Sequence, residues 1–175
     1  SRLHVAHHYK ANLAFWGQHD TMYFVDGCHE WNHPNITQIP YKQKEPPTTK
    51  SKNFTHLERD SIRAALSYMS ASCKFVVKLT GKYKLPSLFA TMDAMPADAS
   101  LIVQSRGKCC GGWSCELFGM ERSLLAIMVD LMDDKRLNME SALYQVMHLV
   151  KGLNASKLSI FPRMNVTSRA RRNDG

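Results

Sequence analysis

The residues best equipped for chemistry in this chain follow a short apolar run. In "KFVVKLTGKYKL", Lys74 to Leu85, the β-branched and aromatic residues Phe75, Val76 and Val77 suit a buried strand, and Lys78, Thr80, Gly81, Lys82 and Tyr83 come directly after them. Glycine permits a close backbone approach, the two lysines can neutralise a phosphate, and the tyrosine ring can stack on a base or a sugar. The same residues also suit a strand end whose lysines are merely solvated. A P-loop nucleotidase is disfavoured, because the Gly-x-x-x-x-Gly-Lys-Ser/Thr spacing is missing.

Trp113 and Glu116 form a second constellation behind two glycines. An aromatic face is a platform for a sugar ring, and a carboxylate can accept hydroxyl hydrogens or protons. The alternative is a core tryptophan beside a surface acid. Glu140 opens a predicted helix, where a carboxylate is also favoured by the helix dipole alone. Arg169, Arg171 and Arg172 either clamp a diphosphate or sit in solvent. Cys109, Cys110 and Cys115 with His4, His7 or His8 invite a zinc reading, but no Cys-x-x-Cys pair or matching second half is present. Five cysteines cannot all pair within the chain, so at most a sparse disulfide pattern is expected.

The elements that must position these groups fit a single domain. With 175 residues, 44% apolar and 22% charged, the chain can bury a core, and its net charge of +8 favours an anionic partner: nucleic acid, a phosphorylated small molecule or a membrane surface. No run is long and apolar enough for a membrane span, and residues 1–20 lack a signal peptide's apolar centre. The chain is therefore expected either to be soluble or to begin after a removed targeting segment or anchor. Sequons at Asn35, Asn53, Asn154 and Asn165 fit a secretory lumen, while a cytoplasmic or viral protein carries such triplets without consequence; both locations stay open.

Along the chain, Leu3 to Ala6 predict a strand with His7, His8 and Tyr9 at its carboxyl end, Asn12 to Trp16 a helix, and "TMYFVDG" a strand ending in Asp26 and Gly27. Residues 38–53, with three prolines, predict an exposed loop. Thr55 and Glu58 have capping-box spacing before a helix carrying Leu57, Ile62, Leu66 and Met69. After the strand at Lys74 come a short helix in "LPSLFATMDAM", a strand "SLIVQS", a loop "RGKCCGGWSC", and the helix "RSLLAIMVDLMDD", apolar nearly all round and so expected to lie between layers. "MESALYQVMHLV" predicts a helix with Met139, Leu143, Met147 and Val150 on one stripe behind an Asn138 cap; "KLSIF" predicts a last strand, and residues 163–175 a basic tail. The alternation predicts an α/β fold, a mixed and mostly parallel sheet covered by helices, with the strands beginning near Leu3, Thr21, Lys74 and Ser100 in one sheet and any ligand at their carboxyl ends.

The order of these motifs resembles a known family. "VAHHYKANLAFW", a strand ending in Asp26, "FVVKLTGKYKL", "WSCELFGME", "MESALYQVM" and a final Arg-Arg-x-Asp-Gly are similar to small GT-A-fold glycosyltransferases, especially those of large algal viruses and their algal and bacterial relatives. There a first strand ends in His-Tyr-x-x-Asn-Leu and a central one in Lys-x-x-Gly-Arg/Lys-Tyr. The resemblance spans nearly the whole chain and implies a GT-A-like, Rossmann-like fold that transfers a sugar from a nucleotide diphosphate donor, a UDP- or GDP-sugar, to a glycan or protein-linked acceptor. It brings His8, Tyr9 and Asp26 to the nucleoside. Lys78, Thr80, Gly81, Lys82 and Tyr83, with Arg171 and Arg172, come to the diphosphate and sugar, and Trp113 and Glu116 to the acceptor. Glu140, with Glu116 second, is the implied catalytic carboxylate. Many enzymes of this fold hold Mn2+ or Mg2+ through an Asp-x-Asp after the central strand; here that motif is missing, and Asp133-Asp134 lies at a helix end. Metal dependence is thus open, and lysines and arginines can stabilise the leaving diphosphate instead.

Two other classes fit the same residues. A nucleic-acid-binding module would use the charge, Tyr83, Trp113 and the basic tail; a non-catalytic sugar-binding domain would keep Trp113 and Glu116 and need no donor site.

Overall fold

The computed structural model describes residues 14–15, 18, 22–26, 36–40, 55–80, 83–105, 113–134, 137–161 and 168–169, with backbone alone at 22–26, 40, 55–57, 83, 105, 113–114, 134 and 168–169. In chain order the strands are β1 (Met22–Asp26), β2 (Ile36–Pro40), β3 (Phe75–Leu79), β4 (Tyr83–Lys84), β5 (Leu101–Ser105), β6 (Trp113–Glu121), β7 (Leu158–Ile160) and β8 (Ser168–Arg169). The helices are α1 (Thr55–Tyr68), α2 (Leu88–Asp93), α3 (Arg122–Asp134) and α4 (Met139–Leu153).

The architecture is mixed α/β, built on a four-stranded sheet in the order β3-β6-β5-β7. β6 runs antiparallel to both β3 and β5, while β5 and β7 are parallel. The sheet is therefore mixed around an antiparallel central strand, which corrects the expectation of mostly parallel pairing. The source of the difference is β6 itself: its first residues, Trp113 to Cys115, fall in the stretch expected to be a glycine- and cysteine-rich loop. β1 pairs in parallel with β2 in a separate two-stranded sheet rather than with β3 and β5. The strand expected at Leu3 lies outside the described residues. β2 also corrects the predicted loop, since Gln38, Ile39 and Pro40 complete it and Ile39 is fully buried. The prolines masked a plain Ile-Thr-Gln-Ile alternation; Pro40, last in its strand, is tolerated there.

Strand alternation sends side chains to two cores. On one face Val76, Phe118, Met120, Leu101 and Val103 pack with Ile62 of α1, with Leu125, Met128, Val129 and Met132 of α3, and with Met139, Leu143 and Val146 of α4. On the other, Leu117 and Ile102 pack with Leu85, Leu88 and Phe161. The α3 residues recur at i, i+3, i+4 and i+7, and Ala126, Ile127 and Asp130 on its other side are exposed. α3 is thus amphipathic on one core rather than enclosed between layers. The stripe expected on α4 is present, with Met139, Leu143, Met147 and Val150 all buried. Asn138 caps that helix by accepting a hydrogen bond from Ser141 N–H at 2.8 Å.

The helices alternate in direction because of their connections. α1 ends shortly before β3 begins, and α4 ends shortly before β7 begins, so both helices start at the carboxyl ends of β3, β5 and β7. α3 follows β6 and returns to that same edge. The opposite, amino edge is tied by hydrogen bonds. Arg122 donates to Ser70 O and Leu66 O, both at 3.0 Å, and so caps the carbonyl end of α1. Ser100 Oγ donates to Glu121 Oε1 at 2.6 Å, and Ser100 N–H donates to Lys157 O at 2.9 Å.

Two glycines test the packing with opposite signs. A Cβ on Gly119 would meet Phe75 Cε1 at 2.7 Å, Ile102 Cγ2 at 3.0 Å and Val77 Cγ2 at 3.2 Å, whereas one on the α4 residue Gly152 meets nothing within 4 Å. Gly119→Ala is expected to destabilise the protein by about 1–3 kcal/mol. Gly152→Ala should stabilise it by about 0.5–1 kcal/mol. Urea denaturation of both variants checks the pair, and equal shifts in midpoint would contradict the packing described.

Candidate functional site at the carboxyl edge

Lys78 is the penultimate residue of β3 and faces the helical side of the sheet, two residues on from Val76. Its ammonium donates to Cys115 O of β6, lies 5.9 Å from the centroid of the Phe118 ring, and stands 3.5 Å from Glu58 Oε1 in the first turn of α1. The lysine side chain is only 19% exposed, against 48% for Glu58. It is not a solvated strand-end lysine: it joins two strands and a helix.

Thr80 continues the connection. Its backbone N–H and its hydroxyl both donate to Glu116 O, at 2.9 and 3.0 Å. Glu116 is half-buried, and β6 is irregular around it. Phe118 pairs with Val103 of β5 and the next pairing is Ser114 with Gln104, so Cys115, Glu116 and Leu117 have no register partner on β5. Such bulges re-aim side chains and locally release a strand from its neighbour. Here the irregularity falls where β6 meets the carboxyl ends of both flanking strands.

Around this junction α1 and α3 are joined by charge. Asp133, near the end of α3, pairs with Arg59 at 2.6 Å and with Arg63; Asp60 pairs with Arg59 at 2.8 Å and with Arg63 at 3.3 Å. Asp133 is thereby occupied by two guanidiniums. α4 begins at the same edge and carries Glu140, exposed, in its first turn, where the helix dipole favours the carboxylate. Among the described residues, no three His, Cys, Asp or Glu side chains come together as a metal-binding group.

Of the residues singled out in the sequence, the structure joins Thr80 to the Glu116 backbone and Lys78 to the neighbouring Cys115 carbonyl, and opens Glu140's helix at their edge. Tyr83 pairs with Arg169 of β8 in a two-residue antiparallel ladder, which corrects the expectation that this part of the C-terminal segment is a simple basic tail. Asp26 ends β1, opposite Pro40 of β2, and Trp113 opens β6, opposite Ser105 of β5; backbone alone is described for all three. His8, Tyr9, Gly81, Lys82, Arg171 and Arg172, as well as Cys28, Cys109 and Cys110, lie outside the described residues. Cys73, half-buried, and Cys115, buried, are not joined in a disulfide. Sequence reasoning missed Glu58 as the partner of Lys78: its spacing from Thr55 signalled a helix start, and that the start lands on a strand end is a property of the topology. No helix of the described residues is long and apolar enough to cross a membrane. No protein-family model, curated protein or solved structure matches the chain.

Because Lys78 supplies a hydrogen bond to a strand carbonyl and covers Phe118, Lys78→Ala is expected to cost about 1–2 kcal/mol of stability. Lys78→Met, which keeps the apolar stem, should cost less. Thermal denaturation of the two variants measures the difference, and no loss in either would mean that the lysine is structurally idle.

Proposed function

We propose that the chain is a glycosyltransferase that moves a sugar from a nucleotide diphosphate donor to a carbohydrate acceptor, in a GT-A-like domain whose site is the carboxyl edge of the sheet. The observation that carries this reading is the junction of Lys78 and Thr80 with Cys115 and Glu116. At the sheet edge where open α/β folds bind ligands, the Lys78 ammonium and the Thr80 hydroxyl meet the backbone carbonyls of Cys115 and Glu116, and the helix that carries Glu140 in its first turn opens at that same edge. The motif order that resembles the glycosyltransferases leads to the same residues. Together these favour an enzyme over a nucleic-acid-binding module.

In this reading Lys78 and Thr80, with Gly81, Lys82 and Tyr83 after them and Arg171 and Arg172 from the C-terminal segment, receive the diphosphate. Their positive charge stabilises the negative charge that develops on the leaving group as the anomeric bond breaks. His8, Tyr9 and Asp26 border the nucleoside. Trp113 and Glu116 hold the acceptor, and Glu140 takes the proton of the attacking hydroxyl as its oxygen bonds to the anomeric carbon. Positive side chains can do this work alone or beside a divalent ion, which is why the binding test includes manganese.

A thermal-shift screen of UDP- and GDP-sugars with and without Mn2+ is expected to show a stabilising donor, since a ligand of the native state raises the melting temperature by mass action. Binding of oligonucleotides that weakens steeply with salt, without any nucleotide-sugar shift, would favour the nucleic-acid reading. For the chemistry, Glu140→Gln should lower turnover by about a hundred- to ten-thousand-fold with donor binding intact. Glu116→Gln should raise the acceptor's KM more than it lowers kcat. Exchanged phenotypes would exchange the two roles; transfer unaffected in both variants would remove catalysis from both and favour a sugar-binding domain.

A further inference from the structure

Glu58 lies beside the Lys78 ammonium and is the more exposed member of the pair. An ammonium has three N–H donors. One is spent on Cys115 O, the Phe118 ring covers the stem side at 5.9 Å, and Glu58 Oε1 lies at 3.5 Å on the more exposed side of the pair. That separation exceeds the roughly 2.7–2.9 Å of a charge-assisted hydrogen bond, so the carboxylate balances the charge of Lys78 without gripping it. Its backbone is fixed in the first turn of α1, yet its side chain is 48% exposed and can rotate away. The nearest guanidiniums on that helix, Arg59 and Arg63, are engaged with Asp60 and Asp133 and do not hold Glu58 in place.

We propose that Glu58 is a built-in competitor at the anion site of Lys78: its carboxylate occupies the ammonium while the site is empty, and an incoming phosphate displaces it. The proposal rests on the donor-site reading above. A phosphate offers more charge and shorter hydrogen bonds than a carboxylate at 3.5 Å, so it wins the ammonium, and Glu58 turns to solvent. The consequence is selectivity. Singly charged and weakly coordinating anions fail to displace Glu58, whereas a diphosphate succeeds.

The test is isothermal titration of the full chain with inorganic pyrophosphate at low salt and without added divalent metal, comparing wild type, Glu58→Gln, Lys78→Met and the double variant. Removing the competing charge is expected to tighten pyrophosphate binding by about two- to tenfold, a gain that shrinks as added salt screens the partly exposed carboxylate. Lys78→Met should abolish binding in both backgrounds. Unchanged or weaker binding by Glu58→Gln would overturn the proposal, because it would make Glu58 a support for Lys78 rather than its competitor. Nucleotide sugars that bind a protein indifferent to pyrophosphate in every variant would overturn it as well, with the donor reading intact. The expected gain in pyrophosphate affinity, in a protein that neither binds nor turns over any nucleotide sugar, would support the competitor and remove the donor reading.

Discussion

The structure depends on one strand that runs against its neighbours. β6 lies between β3 and β5, antiparallel to both, so its amino-terminal residues meet the carboxyl ends of the strands on either side. Had it run parallel, Cys115 and Glu116 would sit at the far edge of the sheet from Lys78 and Thr80. The reversal also dictates the helices. α3 leaves β6 at the amino edge and must return, and α4, at about 1.5 Å per residue, spans about 22 Å back before β7. The first turn of α4 is thus delivered to the edge where β6 begins.

The two edges of the sheet are built for different purposes. At the amino edge, Ser100, Glu121 and Arg122 form hydrogen bonds that tie strands to one another and to the end of α1. At the carboxyl edge are charged, partly exposed pairs: Lys78 with Glu58 at 3.5 Å, and the arginines of α1 with Asp133. Exposed ion pairs contribute little to stability and are easily exchanged for a ligand's charges. An edge of this kind can accept an anion without disturbing the core beneath, where Phe118, Met120 and Leu101 are buried whatever the ion pairs do.

What the sequence revealed follows the range of each signal. Periodicity exposed α4 completely, because a stripe of Met139, Leu143, Met147 and Val150 behind an Asn cap is a local pattern with a single helical solution. The lysine-rich end of β3 was visible for the same reason. β6 was only half legible: glycines and cysteines before it resemble a loop, and nothing in one strand's sequence states which way its neighbours run. β2 was hidden by the prolines that follow Ile39. The pairing of Lys78 with Glu58 was beyond reach, since residues twenty apart come together only once the connection from α1 to β3 is known.

Lys78 shows why residue type and spacing alone leave a site undecided. A strand-end lysine is ordinarily a solvated charge, and a phosphate-binding lysine ordinarily has an open approach. This one is neither, because a carbonyl and an aromatic ring hold it from beneath while a carboxylate partly neutralises it from outside. Holding the stem fixes the ammonium in position before a ligand arrives, which reduces the ordering cost of binding. The nearby carboxylate offsets the cost of keeping a largely buried cation inside the protein. The groups that make the lysine tolerable in the fold are thus also those against which an anionic ligand would have to compete, and in the proposed reading the affinity would be set by that difference rather than by the lysine's charge.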